Sequence, residues 1–524
     1  MSAPLPDDAW ILRARFGPAA LAFATSVCIM TIEIVAGRLI ARSLGSSLYT
    51  WTSVIGVVLA GLAVGNYFGG RLAERYPATR LLLALYLASS AATALILGLD
   101  ALVVDRQLFD GSIWPLRVAL SVTFTFLLPS AVLGTIGPVV LRVALHQNQH
   151  RAGHTIGDVY AAGAIGSIVG TFASGFFLVG QLGTHAIIWA TAGALAALAL
   201  LFARTSSSQL ASIILGAVFS ATSASVVQAH GWVEDDGPDR RYQVESDYFD
   251  IQVIPREQFA GSKDLKYPGS RVLMLDAMVH GFVVPGRPEL LEYDYEQVTA
   301  ALTAKIAAGR PRLSTLFIGG GAYTFPRWVS ERFPGSRVDV VEIDPEVTKA
   351  VHTAMDLPDD GRIRSFAEDA RVFVGREART STGTYDVVYG DAFNGFAVPW
   401  HLTTRELDLE VQRVLKPGGA YILNLVDNEG SERFAGASVS TLRSVFRYVE
   451  LFAISGSHVR ETYVICASDS PLVTPELRWE GRAYRFDAAR VEALVERAGR
   501  LVLTDDFAPV DQLTTAIYVA RRKY

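Results

Sequence analysis

TLFIGGGAYTFPRWVSERFPGSRVDVVEIDPEV, residues 315–347, decides the fold. Residues 315–318 form a short apolar run that Gly319, Gly320 and Gly321 end abruptly. Three glycines permit a tight turn and let a ligand approach the main chain with no Cβ in the way. Residues 338–343 form a second apolar run that carries Glu342 and leads into Asp344. Glu342 lies roughly 20 residues past the glycines, the offset at which an acid accepts hydrogen bonds from ribose hydroxyls. Strand, glycine turn, helix, strand and acid together predict a nucleotide-binding βαβ unit.

On the C-terminal side the alternation continues. RIRSF leads to Glu368 and Asp369, and YDVVY leads to Gly390 and Asp391. After PWHLTTRELDLEVQRVLKPGG, read as a helix with a glycine stop, residues 420–426, 449–454 and 462–467 give further strands. Such alternation implies a mainly parallel, Rossmann-like sheet with its ligand at the strand C-termini. Three acids then fall at successive strand ends: Glu342, Asp369 and Asp391. One alone reads equally as a helix N-cap, but three bordering one crevice point to a site. On the N-terminal side, YFDIQVIP and RVLMLDAMVHGFVV predict a small antiparallel sheet, and residues 290–306 a helix.

The 524 residues exceed one ordinary domain, half are hydrophobic, and the mean hydropathy is +0.29. Residues 16–230 hold the long uncharged runs. Seven membrane spans are expected, at 18–40, 49–70, 81–103, 115–141, 155–180, 184–203 and 209–229, each near the ~20 residues that cross a bilayer. Pro129 and Pro138 predict a kink in the fourth. Gly61, Gly65 and Gly69, and Gly166 and Gly170, are spaced for close helix packing. Glu33 and Arg38 are charges within the first span, costly unless paired, facing a cavity or near the headgroups. Eight arginines (13, 15, 71, 75, 80, 142, 151 and 204) fall on one side and four (38, 42, 106 and 117) on the other. The richer side is expected in the cytoplasm, with the N-terminus. Seven spans place the C-terminal half outside; six place it inside. The net charge of −5 and the lack of a basic block exclude a nucleic-acid partner. Cys28 and Cys466, far apart, offer neither a disulfide framework nor a metal cluster.

At LDAMVHG, FIGGG, VEIDPEV, YDVVYGDAF, HLTT and LKPGG the chain resembles the spermidine synthase family of polyamine aminopropyltransferases. More closely, it resembles bacterial members fused to an N-terminal multi-span segment, here matched by GLAVGNYFGGRLAER. The resemblance implies a methyltransferase-type α/β fold for the C-terminal domain. It also implies that Gly319, Gly320 and Gly321 line the co-substrate, Glu342 holds its ribose, and Asp369 meets the adenine amino group. Asp391 becomes the catalytic acid that orients or accepts a proton of the attacking amine. The chain also departs from the family. An Asp-Gly pair after the glycines is replaced by Ala322-Tyr323, and a second acid after the catalytic Asp by Asn394. A glutamine corresponds to His280, and Tyr-His-Glu to Asp294-Tyr295-Glu296. His280, Tyr295, Glu296 and Asn394 are therefore the candidates for the acceptor pocket. His280 and His401 read equally as ordinary structural residues. Asp505, Asp506 and Asp511 are either a cation-binding segment or a solvated loop.

The expected organisation is a transmembrane helical bundle over 1–230, a linker and small β-subdomain over 231–300, and a catalytic domain over 301–524. The expected function is transfer of an aminopropyl group from decarboxylated S-adenosylmethionine to a small-molecule amine, without a metal, in a bacterial cytoplasmic membrane. The lipid bilayer is an expected partner, and a homodimer an expected assembly. Two alternatives stand beside it: a methyltransferase using S-adenosylmethionine, and a nucleoside-binding transporter or sensor without catalysis.

Overall fold

The structure, a computed structural model, describes residues 17–106, 108–109, 112–202, 230–233, 241–258, 267, 269–276, 278–392, 398–427, 431–457, 460–472 and 483–519. The chain divides into two compact units. The first is Met1–His230 with Glu245–Asp247, and the second is Gly231–Val244 with Tyr248–Tyr524.

The first unit is helical: α1 (Gly17–Leu44), α2 (Leu48–Arg75), α3 (Ala78–Asp105), α4 (Trp114–Gly134), α5 (Ile136–Gln147), α6 (Ala152–Ala173) and α7 (Thr184–Leu200). Five helical stretches, counting α4 and α5 as one, are long and apolar enough to cross a membrane. The sixth expected span, α7, has 17 residues and is shorter than anticipated. The seventh, 209–229, lies outside the described residues. The break in the fourth span falls between the two prolines, after Gly134. Pro138 has no N–H to offer the Gly134 carbonyl and its ring crowds that oxygen, so the helix restarts at Ile136.

Glycines set the helix pairing. A Cβ on Gly61 would lie 2.6 Å from the Ser130 Cβ, one on Gly65 2.8 Å from the Gly134 Cα, and one on Gly170 2.6 Å from the Val27 carbonyl oxygen. The opposite faces of α2 and α6 expose Ile55, Leu59, Phe68, Ile165, Ile168 and Phe172. Arg38 donates to the carbonyl oxygens of Ser246 and Asp247, each at 2.6 Å. It therefore does not neutralise Glu33. Gly65→Val should destabilise the detergent-purified protein by about 1–3 kcal/mol, the usual cost of overpacking. An unchanged unfolding temperature would contradict the close approach of α2 and α4.

The second unit begins with a five-stranded sheet, β1 (His230–Val233), β2 (Arg241–Glu245), β3 (Asp250–Pro255), β4 (Arg271–Leu275) and β5 (Met278–Val283), paired in that order. The β3–β4 and β4–β5 ladders are antiparallel. RVLMLDAMVHGFVV is thus two strands, separated at Asp276, which takes a left-handed φ of 54°. Next come α8 (Asp294–Ala307), β6 (Ser314–Ile318), α9 (Thr324–Arg332), β7 (Arg337–Glu342), α10 (Pro345–Ala354), β8 (Ile363–Ala367), α11 (Ala370–Thr380) and β9 (Tyr385–Gly390). They are followed by α12 (Arg405–Val414), β10 (Leu415–Asp427), α13 (Arg433–Arg443), β11 (Tyr448–Ser457), β12 (Arg460–Ser468), β13 (Ala483–Arg485), α14 (Ala488–Arg497) and α15 (Val510–Val519).

The main sheet has the order β13-β11-β12-β10-β9-β6-β7-β8. Strands β10, β9, β6, β7 and β8 are parallel, and β12 joins β10 antiparallel. β6 is buried along its whole length, as expected of a central parallel strand covered on both faces. LKPGG, read as a helix stop, instead lies within β10, where the pairing with β9 shifts register between Leu415 and Ala420. A shared apolar core runs from Ile251 and Leu273 of the small sheet through Val298 and Leu302 of α8 to Phe317 and Val340. From β6 the chain adds β7 and β8 on one side and then returns to add β9 and β10 on the other, so the strand order reverses between β6 and β9. That switch point is where open α/β sheets bind ligands.

Candidate active site

The glycine turn sits at the switch point, and its first residue leaves no room for a Cβ. Gly319 has φ 95° and Gly321 φ 49°, and a Cβ on Gly319 would lie 3.0 Å from the Asp391 carbonyl carbon. On its other side the turn runs along β5. A Cβ on Gly321 would stand 3.2 Å from the His280 carbonyl oxygen, and one on Gly281 would stand 2.5 Å from the Ala322 Cβ. The small sheet therefore walls the site.

Glu342, at the end of β7, is buried. Its Oε2 accepts from the Gly320 N–H at 2.8 Å and its Oε1 from the Asp344 N–H at 3.1 Å. Burial raises its pKa, and these two N–H groups oppose the rise. It thus shapes the turn, and each oxygen retains a lone pair for a ribose hydroxyl. Asp369 caps α11: its Oδ1 accepts from the Arg371 N–H at 2.7 Å and the Val372 N–H at 3.3 Å. Its Oδ2 stands 3.2 Å from His401 Nε2. The capping role expected of a lone Asp is present, and His401 faces the oxygen assigned to the adenine amino group.

Asp391 follows β9. Its main-chain N–H donates to the Ile318 carbonyl at 3.0 Å, which ties it to the strand that launches the glycine turn. Tyr295 Oη donates to its Oδ2 at 3.0 Å and Asn424 Nδ2 to its Oδ1 at 2.9 Å. Asp391 presents surface to solvent, yet protein crowds its carboxyl. That crowding raises its pKa, while the bonds from Asn424 and Tyr295 pull it down. About two turns further along α8 from Tyr295, a buried pair ties that helix to β9, Thr303 Oγ1 and Tyr389 Oη, 2.9 Å apart. Tyr389 in turn stacks on Phe317 of β6 at 4.4 Å.

Glu296 is buried one residue beyond Tyr295, and its Oε2 accepts from the Tyr293 N–H at 3.3 Å. Burial pushes its carboxyl up to about 8. The His280 imidazole is pushed down to about 4 by burial, so it is neutral at pH 7, and its Nε2 has no hydrogen-bond partner among the described residues. Phe282, Tyr293 and Tyr295 form an aromatic row, with ring centroids 5.1 and 5.4 Å apart.

Asn394 lies outside the described residues. Asp505 is already engaged: its Oδ1 accepts from Thr404 at 2.6 Å and its Oδ2 pairs with Arg371 at 2.8 Å. Its charge is thus neutralised by Arg371. Asn424 was not anticipated, although its signal was present as a lone amide in the apolar strand AYILNLV. It is buried, and its Oδ1 has no partner among the described residues.

No protein-family model matches the chain. A polyamine aminopropyltransferase of Vibrio vulnificus (strain CMCP6) is 34% identical over 131 residues, 25% of this chain and 42% of that protein. The chain thus spans less than half the length of that relative. Polyamine aminopropyltransferase 2 of Streptomyces coelicolor is 25% identical over 447 residues, 82% of this chain and 77% of that protein. The eEF1A lysine and N-terminal methyltransferase of Xenopus laevis is 32% identical over 119 residues, 22% of this chain and 17% of that protein. Among solved structures, a probable spermidine synthase from Corynebacterium glutamicum aligns with TM-score 0.43 and 21% identity, covering 53% of this chain and 98% of that chain. The spermidine synthase of Thermotoga maritima aligns with TM-score 0.36 and 15% identity, covering 49% and 87%. The chain resembles the polyamine aminopropyltransferases, along most of its length in one case though at low identity, as its motifs led us to expect.

Proposed function

We propose that the second unit transfers an aminopropyl group from decarboxylated S-adenosylmethionine to a small amine, and that the first unit anchors it in a bacterial cytoplasmic membrane. The observation that carries this reading is the Asp391 carboxylate, held by Tyr295 and Asn424 beside the glycine turn. The turn fits a nucleoside: Cβ atoms are absent where the main chain must come close, and Glu342 presents a carboxylate at the ribose offset. Asp369 adds an acceptor for the adenine amino group.

The sulfonium supplies a good leaving group. The amine nitrogen forms a bond to the carbon beside sulfur, the C–S bond breaks with its electron pair passing to sulfur, and methylthioadenosine leaves. What the chain must provide is alignment and a neutral amine. Asp391 accepts the proton that the nitrogen loses, and the Tyr293–Tyr295 rings flank the amine's stem. The names of the Vibrio and Streptomyces relatives support this assignment.

A methyl-transfer reading rests on Ala322, where the family's Asp is missing, and on the similarity to the Xenopus methyltransferase. The products separate the two. Purified protein given decarboxylated S-adenosylmethionine and a panel of amines should release methylthioadenosine, and should give no S-adenosylhomocysteine from S-adenosylmethionine. Release of S-adenosylhomocysteine alone would favour methyl transfer.

The anchoring rests on the five long apolar helices. The side of the catalytic unit depends on whether 209–229 crosses. Seven crossings and the arginine bias place that unit outside, away from the cytosolic supply of sulfonium compounds. Cysteines at Ser206 and Asp235 should label from opposite sides with an impermeant reagent. Labelling of both, or of neither, would show that this segment does not cross.

A further inference from the structure

The glycine contacts of the first unit repeat. Gly166 of α6 abuts Phe23, Gly170 abuts Val27 and Met30, and Ser174 bonds to Thr31 at 3.0 Å, all on α1. On α2, Gly61 abuts Leu127, Gly65 abuts Ala131 and Gly134, and Gly69 abuts Thr135, all on α4 or just beyond it. Phe23, Val27, Met30 and Thr31 map onto Leu127, Ala131, Gly134 and Thr135 at one constant offset. In the same register Ser26, Thr31, Ile32, Val35 and Arg38 recur as Ser130, Thr135, Ile136, Val139 and Arg142. Thr50, Val54, Gly61 and Gly65, all buried on α2, recur as Thr155, Val159, Gly166 and Gly170, all buried on α6. The third members, α3 and α7, pack on each other.

Each half therefore contributes three helices, and each lends its first helix to the other's second. If the unit spans a membrane, an odd number of crossings places the second half upside down relative to the first. That is the inverted-repeat plan of many secondary transporters, whose solute sites lie near the bilayer midplane.

One position breaks the equivalence where charge matters most. Glu33 of α1 corresponds to Gly137 of α5. It is half-buried, and no hydrogen bond or ion pair to it forms among the described residues. It lies about 4 Å beyond the midpoint of α1 at 1.5 Å per residue, within the hydrocarbon of any bilayer the helix crosses. An unpaired acid there is expensive to keep unless it serves a polar solute. A lone carboxylate supplies too few oxygens for a hard metal ion. It is enough for an alkylammonium, whose carbon stem the surrounding apolar helices tolerate.

We propose that the helical unit is a pair of inverted three-helix repeats and that Glu33, the acid that breaks their equivalence, binds a small organic ammonium ion as it crosses the membrane. This rests on the membrane reading above; the choice of solute follows the amine chemistry of the second unit. In full-length protein lacking Cys28, cysteines at Ser46 and Asn148, in the equivalent connections of the two repeats, should label from the outside and the inside respectively. Labelling of both from one side overturns the repeat. Liposomes bearing the full-length protein should take up radiolabelled putrescine. Glu33→Gln should lower the initial rate about tenfold or more, and Glu33→Asp should restore part of it. Nucleoside binding in detergent should match wild type in both variants. No protein-dependent uptake, or uptake indifferent to Glu33→Gln, overturns the site. Release of the protein from membranes by alkaline carbonate would instead remove the anchoring reading itself.

Discussion

Asp391→Asn is expected to lower kcat by about 10²–10⁴-fold, the range for loss of a positioned acid or base, with affinity for the sulfonium nucleoside near wild type. The substitution keeps the shape of the side chain: the amide oxygen can still accept from Asn424 and the amide NH2 can donate to the Tyr295 hydroxyl, and the glycine turn does not depend on the carboxyl. What disappears is the negative charge facing the amine, which matters chiefly when the nitrogen sheds its proton. A loss confined to kcat is the mark of an interaction made in the reacting complex. Titration calorimetry with the nucleoside, beside initial rates, separates the two quantities. Unimpaired turnover would remove Asp391 from the chemistry.

The pH profile gives an independent reading of the same group. A base must be ionised to accept a proton, so the rate falls as pH drops through its pKa. Crowding raises the Asp391 carboxyl above the ordinary carboxylate value, so the acid limb should sit higher than for a solvated Asp. Tyr295→Phe and Asn424→Ala remove donors that favour the ionised form. Each should move that limb further up with a smaller loss of kcat than Asp391→Asn. A merely structural role for Tyr295 or Asn424 would leave the limb in place.

Much of the second unit was legible in the sequence because one physical demand fixed each feature. Gly319 has a φ of 95°, and the Asp391 main chain leaves no room there for a Cβ, and an acceptor at the end of β7 is needed for the N–H of Gly320. β6 reads plainly because burial on both faces demands apolar residues, and β7 because Val338, Val340 and Val341 surround the buried acid Asp339, which is paired with Arg337 and Arg364. What stayed hidden depended on contacts distant in sequence. Asn424 becomes part of the site only because β10 lies beside β9, which brings its amide to Asp391. β1 and β2 escaped notice because HGWV and RYQVE are too short for alternation to stand out. The repeat in the first unit was invisible for a different reason: packing holds only the buried positions, so identity survives at glycines and a few neighbours while the exposed faces diverge.

The tail of the sulfonium substrate provides the other large expected effect. Wild type should bind decarboxylated S-adenosylmethionine about tenfold or more tightly than S-adenosylmethionine, a difference of about 1.4 kcal/mol. The decarboxylated tail is a cationic amine, and desolvating it needs a partner. Ala322 offers none and Asp505 is spent on Arg371, and we assign the role to Glu296, the buried acid next to Tyr295. Its buried carboxyl, near 8 in the free protein, would ionise as the ammonium arrives, so binding at pH 7 should release a proton. Calorimetry in buffers of different ionisation heat measures that release, and Glu296→Gln should abolish it along with most of the preference. The carboxylate of S-adenosylmethionine, by contrast, would face both Glu296 and Asp391. Restoring the family's acid through Ala322→Asp should change little, because position 322 is 2% exposed and packed against Gly281. A carboxyl placed there leaves water and tends to stay protonated. Should wild type instead bind S-adenosylmethionine more tightly, and Ala322→Asp reverse that order, the missing Asp would be what sets the substrate, and the reaction would be methyl transfer.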